Sequence, residues 1–141
     1  LAEILIDKKL DYDSAFEEDL CGSCTACIDS CPTNALTEYK IDSNKCISYL
    51  TIEYREDFEN EDLHNWIYGC DICQEVCPWN IKFEQIKKDK HFEARDSLIN
   101  FFKSDWENLN KENFTSSFKN SAVKRTKYKG LKRNIDSLRE L

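Results

Sequence analysis

Methionine is absent from this sequence of 141 residues, and glycine and proline are scarce, with three and two residues respectively. Because Gly-rich and Pro-rich segments form linkers, their scarcity argues against long disordered connections. No apolar run is long enough to span a bilayer, so we expect no membrane association. Without methionine, Leu1 is not an initiator residue. The apolar start Leu1–Asp7 therefore predicts the last strand of a domain that precedes this chain in a longer protein.

Charge is divided unevenly along the chain, although its formal net value is only −7. Residues 1–80 contain 5 Lys or Arg and 18 Asp or Glu, a net charge of −13, whereas residues 81–141 contain 15 and 9, a net charge of +6. Between Lys119 and Arg133 there are seven basic residues and no acidic residue. A chain with this much negative charge is not typical of nucleic-acid-binding proteins. The basic segment from Lys119 to Arg133 nevertheless predicts one face that binds phosphate groups. The alternative is that these basic residues form a solvent-exposed helix face that binds no partner.

Eight cysteines fall into two runs, and each run ends in Cys-Pro. The first run has the spacing C-x2-C-x2-C-x3-C-P over residues 21–32, and the second has C-x2-C-x3-C-P over residues 70–78, with Cys46 upstream. This is the ligand pattern of two-cluster bacterial ferredoxins, in which the fourth cysteine of each run serves the other cluster. The pattern predicts two [4Fe–4S] clusters. Cluster 1 would be bound by Cys21, Cys24, Cys27 and Cys77, and cluster 2 by Cys31, Cys46, Cys70 and Cys73.

Eight cysteines can also form a disulfide scaffold or bind structural zinc. A disulfide scaffold would suit a shorter, secreted chain, and no signal peptide is visible. Structural zinc uses paired C-x2-C knuckles in groups of four ligands, which the triple step of the first run fits poorly. We expect His64 and His91 to be surface residues and not ligands. Eight cysteines that serve as thiolate metal ligands imply a reducing compartment, so we expect a cytoplasmic protein.

Short helices are expected in the cysteine-rich half, around Ala26–Ser30 and Lys45–Glu53. The acidic stretch Glu56–Asp62 is interpreted as the solvated start of a further helix. After Trp79 the apolar residues recur at three- and four-residue steps, which indicates helices. The residues of this pattern are Leu98, Phe101, Phe102, Trp106, Leu109, Phe114, Phe118, Ala122, Leu131, Ile135 and Leu138.

The helical half raises three further expectations. A break is predicted at Ser104-Asp105, and a cap or turn at Gly130. The aromatic residues are expected in the core, namely Trp79, Phe83, Phe101, Phe102, Trp106, Phe114 and Phe118. The predicted fold is mainly α, a two-cluster bacterial-ferredoxin-like module followed by a short HEAT-like helical tail. Residues 1–20 would be the end of a truncated domain and a linker, residues 21–80 the cluster module and residues 81–141 the tail.

The residues around the cysteines resemble a known family. The stretches are CISYLTIE at residues 46–53, YGCDICQEVCPWN at residues 68–80, SAVKR at residues 121–125 and GLKRN at residues 130–134. They are similar to the C-terminal part of epoxyqueuosine reductase, and the resemblance runs from Leu1 to about Asn134. Generic ferredoxins share the cysteines but not these stretches.

The resemblance implies an oxidoreductase that reduces epoxyqueuosine to queuosine at the wobble position of tRNA, using cobalamin and two [4Fe–4S] clusters. It places Ser48, Cys70 and Asp71 against the cobalamin, near cluster 2. It places Arg55, Lys124, Arg125 and Lys127 against tRNA, although the loop after Thr51 and the residue Asn120 depart from the family pattern. The catalytic acid and most of the cobalamin site would lie in an N-terminal domain, so no catalytic residue is expected in this chain.

The implied partners are tRNA and an external electron donor, and the chain is expected to be monomeric and inactive alone. Two alternatives stay open at this point. One is a stand-alone two-cluster electron-transfer ferredoxin, which would not need a basic tail. The other is an iron–sulfur partner of another corrinoid reductase.

Overall fold

A computed structural model describes residues 3–85 and 93–138, and helices dominate this part of the chain. Its only strands form one short antiparallel hairpin, in which Leu36 pairs with Ile41. In chain order the elements are α1 (Ala26–Asp29), β1 (Leu36–Thr37), β2 (Lys40–Ile41), α2 (Ile47–Ile52), α3 (Ile72–Glu75), α4 (Pro78–Phe83), α5 (Asp96–Ile99), α6 (Lys103–Glu107), α7 (Lys111–Ser117), a 3₁₀ helix (Ala122–Thr126) and α8 (Lys127–Ser137).

Two sequence-based expectations for local structure are wrong. The predicted strand Leu1–Asp7 is exposed coil wherever it is described, from residue 3 onward, because no neighbouring strand accepts its hydrogen bonds there. The acidic stretch Glu56–Asp62 is also irregular and begins no helix. Its carboxylates cap local turns instead, as when Glu61 accepts hydrogen bonds from the main-chain N–H groups of residues 59 and 60.

The two cysteine runs fold in the same way. Each places a four-residue helix inside its C-x2-C-x3-C-P stretch, α1 in the first run and α3 in the second, and these two helices pack together. A glycine with positive φ precedes each helix, Gly22 at 52° and Gly69 at 72°, a conformation that favours glycine. Pro78 then occupies the first turn of α4, where its missing N–H costs nothing. The helices expected around Ala26–Ser30 and Lys45–Glu53 are confirmed as α1 and α2.

The main hydrophobic core lies in the second half of the chain. It consists of Leu109, Phe114, Phe118, Leu131 and Ile135. Ile67 and Tyr68, from the segment just before Cys70, pack against this core and join the two halves. The helical pattern after Trp79 is therefore confirmed in the described residues.

The predicted helix break lies a few residues earlier than expected. Helix α5 ends at Ile99 and α6 begins at Lys103, so Ser104 and Asp105 lie inside α6. The Asp105 carboxylate accepts a hydrogen bond of 2.8 Å from the N–H of Phe102 and so caps the new helix. An acidic residue in a first turn is a start signal, and this signal explains the shift.

The aromatic residues divide between core and surface. Phe114 and Phe118 are buried, and Phe101 and Trp106 are half-buried against the same core, as expected. The expectation is wrong for Phe102, Phe83 and Trp79, which are 75%, 58% and 40% exposed. Phe102 precedes the first turn of α6 and points outward. Trp79 and Phe83 stack on each other along α4, with ring centroids 5.4 Å apart, on a surface that no described element covers.

Gly130 was predicted as a cap or turn, but it lies inside α8, and this expectation is wrong. A Cβ atom at residue 130 would approach Thr126 Oγ1 to 2.5 Å, and that hydroxyl is engaged in a hydrogen bond of 2.9 Å to the carbonyl of Thr51. Glycine therefore permits the close contact and does not end the helix.

Replacing Gly130 with Ala should destabilise the chain by about 1 kcal/mol, because a steric cost of about 1–3 kcal/mol exceeds a helix-propensity gain of about 1 kcal/mol. Chemical denaturation measures the difference. In a Thr126→Ala background the clash is gone, so the same change should stabilise the chain. A stabilising effect in both backgrounds would contradict the role assigned to Gly130.

Candidate metal centre and basic surface

Four of the eight cysteines line one cavity. They are Cys31, Cys46, Cys70 and Cys73, the set predicted for cluster 2. They come from the end of the first run, the start of α2 and the second run. The rest of the wall is apolar except for Thr33, with Pro32, Ala35, Leu36, Ile41, Ile47 and Ile72. The fold therefore brings together thiols that lie up to 42 positions apart in the sequence.

Hydrogen bonding and charge differ between these thiols. Burial of Cys31 opposes its ionisation, but the N–H of Ala35 lies 3.3 Å from its sulfur and outweighs burial with help from Thr33, so the pKa of Cys31 falls. Burial raises the pKa of Cys70, and the neighbouring sulfurs of Cys73, Cys46 and Cys31 add to the rise. Several thiolates in one apolar cavity repel one another, so the site is suited to a cationic metal centre.

The donor set suits a cluster better than a single ion. Within residues 3–85 and 93–138, no three Cys, His, Asp or Glu side chains are arranged to hold one metal ion. In a cubane each thiolate binds a different iron, so its four ligands lie farther apart than those of mononuclear zinc. Four thiols around one apolar cavity, one of them accepting a main-chain N–H bond, fit a [4Fe–4S] cluster.

The cysteines predicted for cluster 1 are more accessible. Cys21 and Cys24 are exposed, and Cys27 and Cys77 are half-buried. The indole N–H of Trp79, two residues after Cys77, donates a bond of 2.8 Å to the carbonyl of Leu20, which brings the outer ends of the two runs together.

The loop before Cys21 is held by a second contact. Asp19 accepts a 3.0 Å bond from the N–H of Cys21 and a 2.6 Å bond from the hydroxyl of Tyr39. The bond to Asp19 raises the pKa of Tyr39 to about 12 and lowers that of Asp19. The hairpin turn at Tyr39 therefore anchors the first ligand of the first run.

Of the three predicted cobalamin-facing residues, one lines the four-cysteine cavity and the other two follow a lining residue in the sequence. Cys70 lines it, Asp71 follows on the exposed side beside α4, and Ser48 is half-buried on α2, one residue after Ile47. Their assignment to cobalamin stays a prediction. His64 is exposed and pairs with Asp62 at 3.7 Å, as expected of a surface residue, while His91 lies outside the described residues.

The basic segment contains both internal and exposed cations. Arg133 is half-buried, and its guanidinium donates to the main-chain carbonyls of Leu50, Tyr54 and Glu56 and lies 4.0 Å from the ring centroid of Phe58. Lys132 pairs with Asp136 one turn along α8. These two cations are therefore engaged within the fold.

Two of the residues predicted to contact tRNA are also engaged. Arg55 donates to the carbonyls of Ile52, Thr126 and Arg125, and so ties the loop after α2 to the 3₁₀ helix. Arg125 is 69% exposed and forms an ion pair with Glu53. The structure thus gives Arg55 a role in joining these two segments, and both arginines still present part of their charge to solvent.

Lys111 and the exposed lysines of the basic segment form the exposed basic surface, defined here as Lys111, Lys119, Lys124, Lys127 and Lys129. None of them makes a salt bridge to a described residue. Lys111, Lys119 and Lys124 line one open groove between α7 and the 3₁₀ helix. Lys111 was missed in the sequence because it lies outside the basic run and next to Glu112. The available signal was its position four residues before Thr115 and eight before Lys119, a spacing that places residues along one face of a helix.

Residues 20–80 match the family described as a 4Fe-4S double cluster binding domain. An epoxyqueuosine reductase of Cyclobacterium marinum is 50% identical over 140 aligned positions, which cover 96% of this chain and 44% of that protein. An epoxyqueuosine reductase of Leadbetterella byssophila is 48% identical over 144 aligned positions, which cover 100% of this chain and 46% of that protein. The chain is homologous to the epoxyqueuosine reductases. It spans about half the length of the curated relatives it matches.

Solved structures show the same relationship. The structure of epoxyqueuosine reductase from Bacillus subtilis superposes with a TM-score of 0.75 at 30% identity, covering 89% of this chain and 34% of that one. A crystal structure of epoxyqueuosine reductase with an epoxyqueuosine-modified tRNA-Tyr stem loop superposes with a TM-score of 0.74 at 29% identity, covering 88% and 34%. The resemblance inferred from the residues is thereby confirmed. No helix in the described part of the chain is long and apolar enough to cross a membrane.

Replacing Arg133 with Lys should lower the free energy of unfolding by about 2 kcal/mol, because an ammonium cannot serve several carbonyls as a planar guanidinium does. Denaturant titration measures the loss. Lys129→Ala is the matched control on the same helix and should change stability by less than about 0.5 kcal/mol. Equal stabilities of the two variants would refute the internal role of Arg133.

Proposed function

We propose that this chain is the iron–sulfur and tRNA-facing portion of an epoxyqueuosine reductase. It would pass electrons through two [4Fe–4S] clusters to a cobalamin, which reduces epoxyqueuosine to queuosine in tRNA. The cavity lined by Cys31, Cys46, Cys70 and Cys73 carries the proposal. These four residues are the set that the crossed ligand pattern requires, drawn from separate parts of the chain.

The two clusters would have different surroundings. Cys21 and Cys24 are exposed, so cluster 1 lies where an external electron donor can approach. The cysteines of cluster 2 share an apolar cavity, and Ser48 and Asp71 each follow a residue that lines it, Ile47 and Cys70 respectively. When bound, the clusters supply single electrons, and the cobalamin carries the hard chemistry. This chain's own residues hold the clusters, exclude water from cluster 2 and present Ser48, Cys70 and Asp71 to the cofactor.

The tail argues against the stand-alone ferredoxin. An electron carrier needs only the cluster module. Here, however, side chains of α8 donate hydrogen bonds to carbonyls at the end of α2, and the last helices supply most of the core. The tail also presents the exposed basic surface, which suits a phosphate backbone. The proposed organisation is a two-cluster ferredoxin-like module at residues 21–80 and a short HEAT-like tail at residues 81–141, in a cytoplasmic monomer. No catalytic residue is assigned to this chain, which alone should take up electrons without reducing an epoxide.

Cluster content tests the proposal directly. Anaerobically reconstituted chain should bind about eight iron and eight sulfide. Cys31→Ser should abolish cluster 2, although Cys31 belongs to the first run, and Cys77→Ser should abolish cluster 1. Each variant is the control for the other. Iron analysis and the electron paramagnetic resonance of the reduced protein measure the result.

Two outcomes would contradict this assignment. Stoichiometric zinc without acid-labile sulfide would exclude the clusters. Loss of the cluster of its own run in each variant would exclude the crossed ligand pattern.

The exposed basic surface and the adjacent, largely exposed Arg125 predict RNA affinity. Changing Lys124, Arg125 and Lys127 together to Ala should weaken binding of a tRNA anticodon stem loop by about tenfold or more at moderate salt, because up to about three phosphate contacts are lost. Titrations at several salt concentrations should show a correspondingly shallower salt dependence. Cluster content should not change.

The matched control removes the same charge from the acidic half. Lys8, Lys9 and Lys40 are exposed, and changing these three to Ala should leave RNA affinity near that of the unmodified chain. If both triple variants weaken binding equally, only net charge matters. If neither does, the basic surface is merely solvated.

A further inference from the structure

A single hydroxyl connects two ligand-bearing segments of the proposed cluster 2. Thr51 lies at the end of α2 and is fully buried. Its Oγ1 donates a hydrogen bond of 2.7 Å to the carbonyl of Ile47 and accepts one of 2.9 Å from the N–H of Gly69. Ile47 follows Cys46, and Gly69 precedes Cys70. The bond to Ile47 is a common feature of helical threonines, but the bond from Gly69 crosses to another segment.

The helical tail holds Thr51 in place from the other side. The carbonyl of Thr51 accepts bonds from Thr126 Oγ1 at 2.9 Å and from Asn134 Nδ2 at 2.8 Å. Asn134 Nδ2 also donates a bond of 2.9 Å to the carbonyl of Ile67, just before Gly69. Thr126 and Asn134 are fully buried as well, and no buried side-chain polar atom among the described residues lacks a partner.

We infer that Thr51 is a positioning residue for Cys46 and Cys70, and that Thr126 and Asn134 connect this function to the tail. The inference rests on the proposed function, since it takes Cys46 and Cys70 as ligands of one cluster. A buried network that is fully satisfied is rigid, so it fixes the separation of the two ligand segments. Cluster 1 has no ligand adjacent to Ile47 or Gly69, so the effect is specific to cluster 2.

The test uses the whole chain with both clusters reconstituted. Thr51→Val keeps the shape of the side chain but removes its donor and acceptor, and Thr51→Ser keeps both. Cluster 2 should release iron to a chelator faster in the Val variant, by about tenfold, the lower end of the loss of metal affinity seen when outer-shell groups are removed. The Ser variant should stay near the unmodified chain. The Cys46→Ser variant, which retains cluster 1 alone, identifies which signal belongs to which cluster.

Two further measurements separate positioning from general stability. Hydrogen exchange of the segment around Gly69 should be faster in Thr51→Val, independently of metal release. Leu131→Ala weakens the core but keeps Thr51 and its hydrogen-bond partners, so it should cause a smaller difference between the two clusters than Thr51→Val does. Thr126→Val removes one bond at a distance from the cysteines and should shift cluster 2 in the same direction by less, which gives a second variant should Thr51→Val fail to fold.

Three results would overturn the inference. They are unchanged iron release in both Thr51→Val and Thr126→Val, an equal defect in Thr51→Val and Thr51→Ser, or an equal effect of Thr51→Val on both clusters. Failure of the proposed function is distinguishable, because the unmodified chain would then not assemble two clusters at all.

Discussion

The polar contact between α8 and the end of α2 sets how the two halves of the chain relate. Asn134 and Arg133 on α8 reach main-chain carbonyls of the first half, at Thr51 and Ile67 and at Leu50, Tyr54 and Glu56 respectively. Because main-chain carbonyls are present whatever the side chain, these bonds specify the path of the backbone. A buried carbonyl without a hydrogen-bond partner costs about 1–3 kcal/mol, so displacement of the tail from this position is unfavourable.

Charge follows the same division. The first half collects cysteine thiols in an apolar cavity, where burial and the neighbouring sulfurs raise the pKa of Cys70, and a bound metal centre would offset this cost of ionisation. The second half has a net charge of +6, but Arg133 and Lys132 are engaged within the fold. Among the described residues, the exposed basic surface and part of the Arg125 side chain face solvent. Net charge therefore overstates the positive surface available to a polyanion, and its distribution has to be read from the contacts.

The sequence predicted what depends on local spacing. The short helices expected around Ala26–Ser30 and Lys45–Glu53 are present as α1 and α2, and apolar periodicity implied the helices of the tail, whereas α3 was not predicted. It did not predict contacts between distant residues, such as Arg133 with Leu50, because no local pattern marks a carbonyl as an acceptor. The same limit explains the exposed Phe102 and the absent strand at residues 3–7, since burial and strand pairing depend on neighbours that composition does not reveal.

The distribution of core residues has a consequence for folding. Buried apolar side chains in the cysteine-rich half are few and small, namely Ala35, Ile47, Leu50 and Leu63, whereas the tail buries two phenylalanines. A module of about sixty residues with so little core is marginal alone and needs metal or a neighbour for stability. Here the neighbour is the tail, whose core packs against Ile67 and Tyr68 of the module and whose Asn134 hydrogen-bonds to the carbonyl of Ile67. The metal would be the bound clusters. Binding of the clusters and docking of the tail should therefore stabilise each other, because both act on the segment that leads into Cys70.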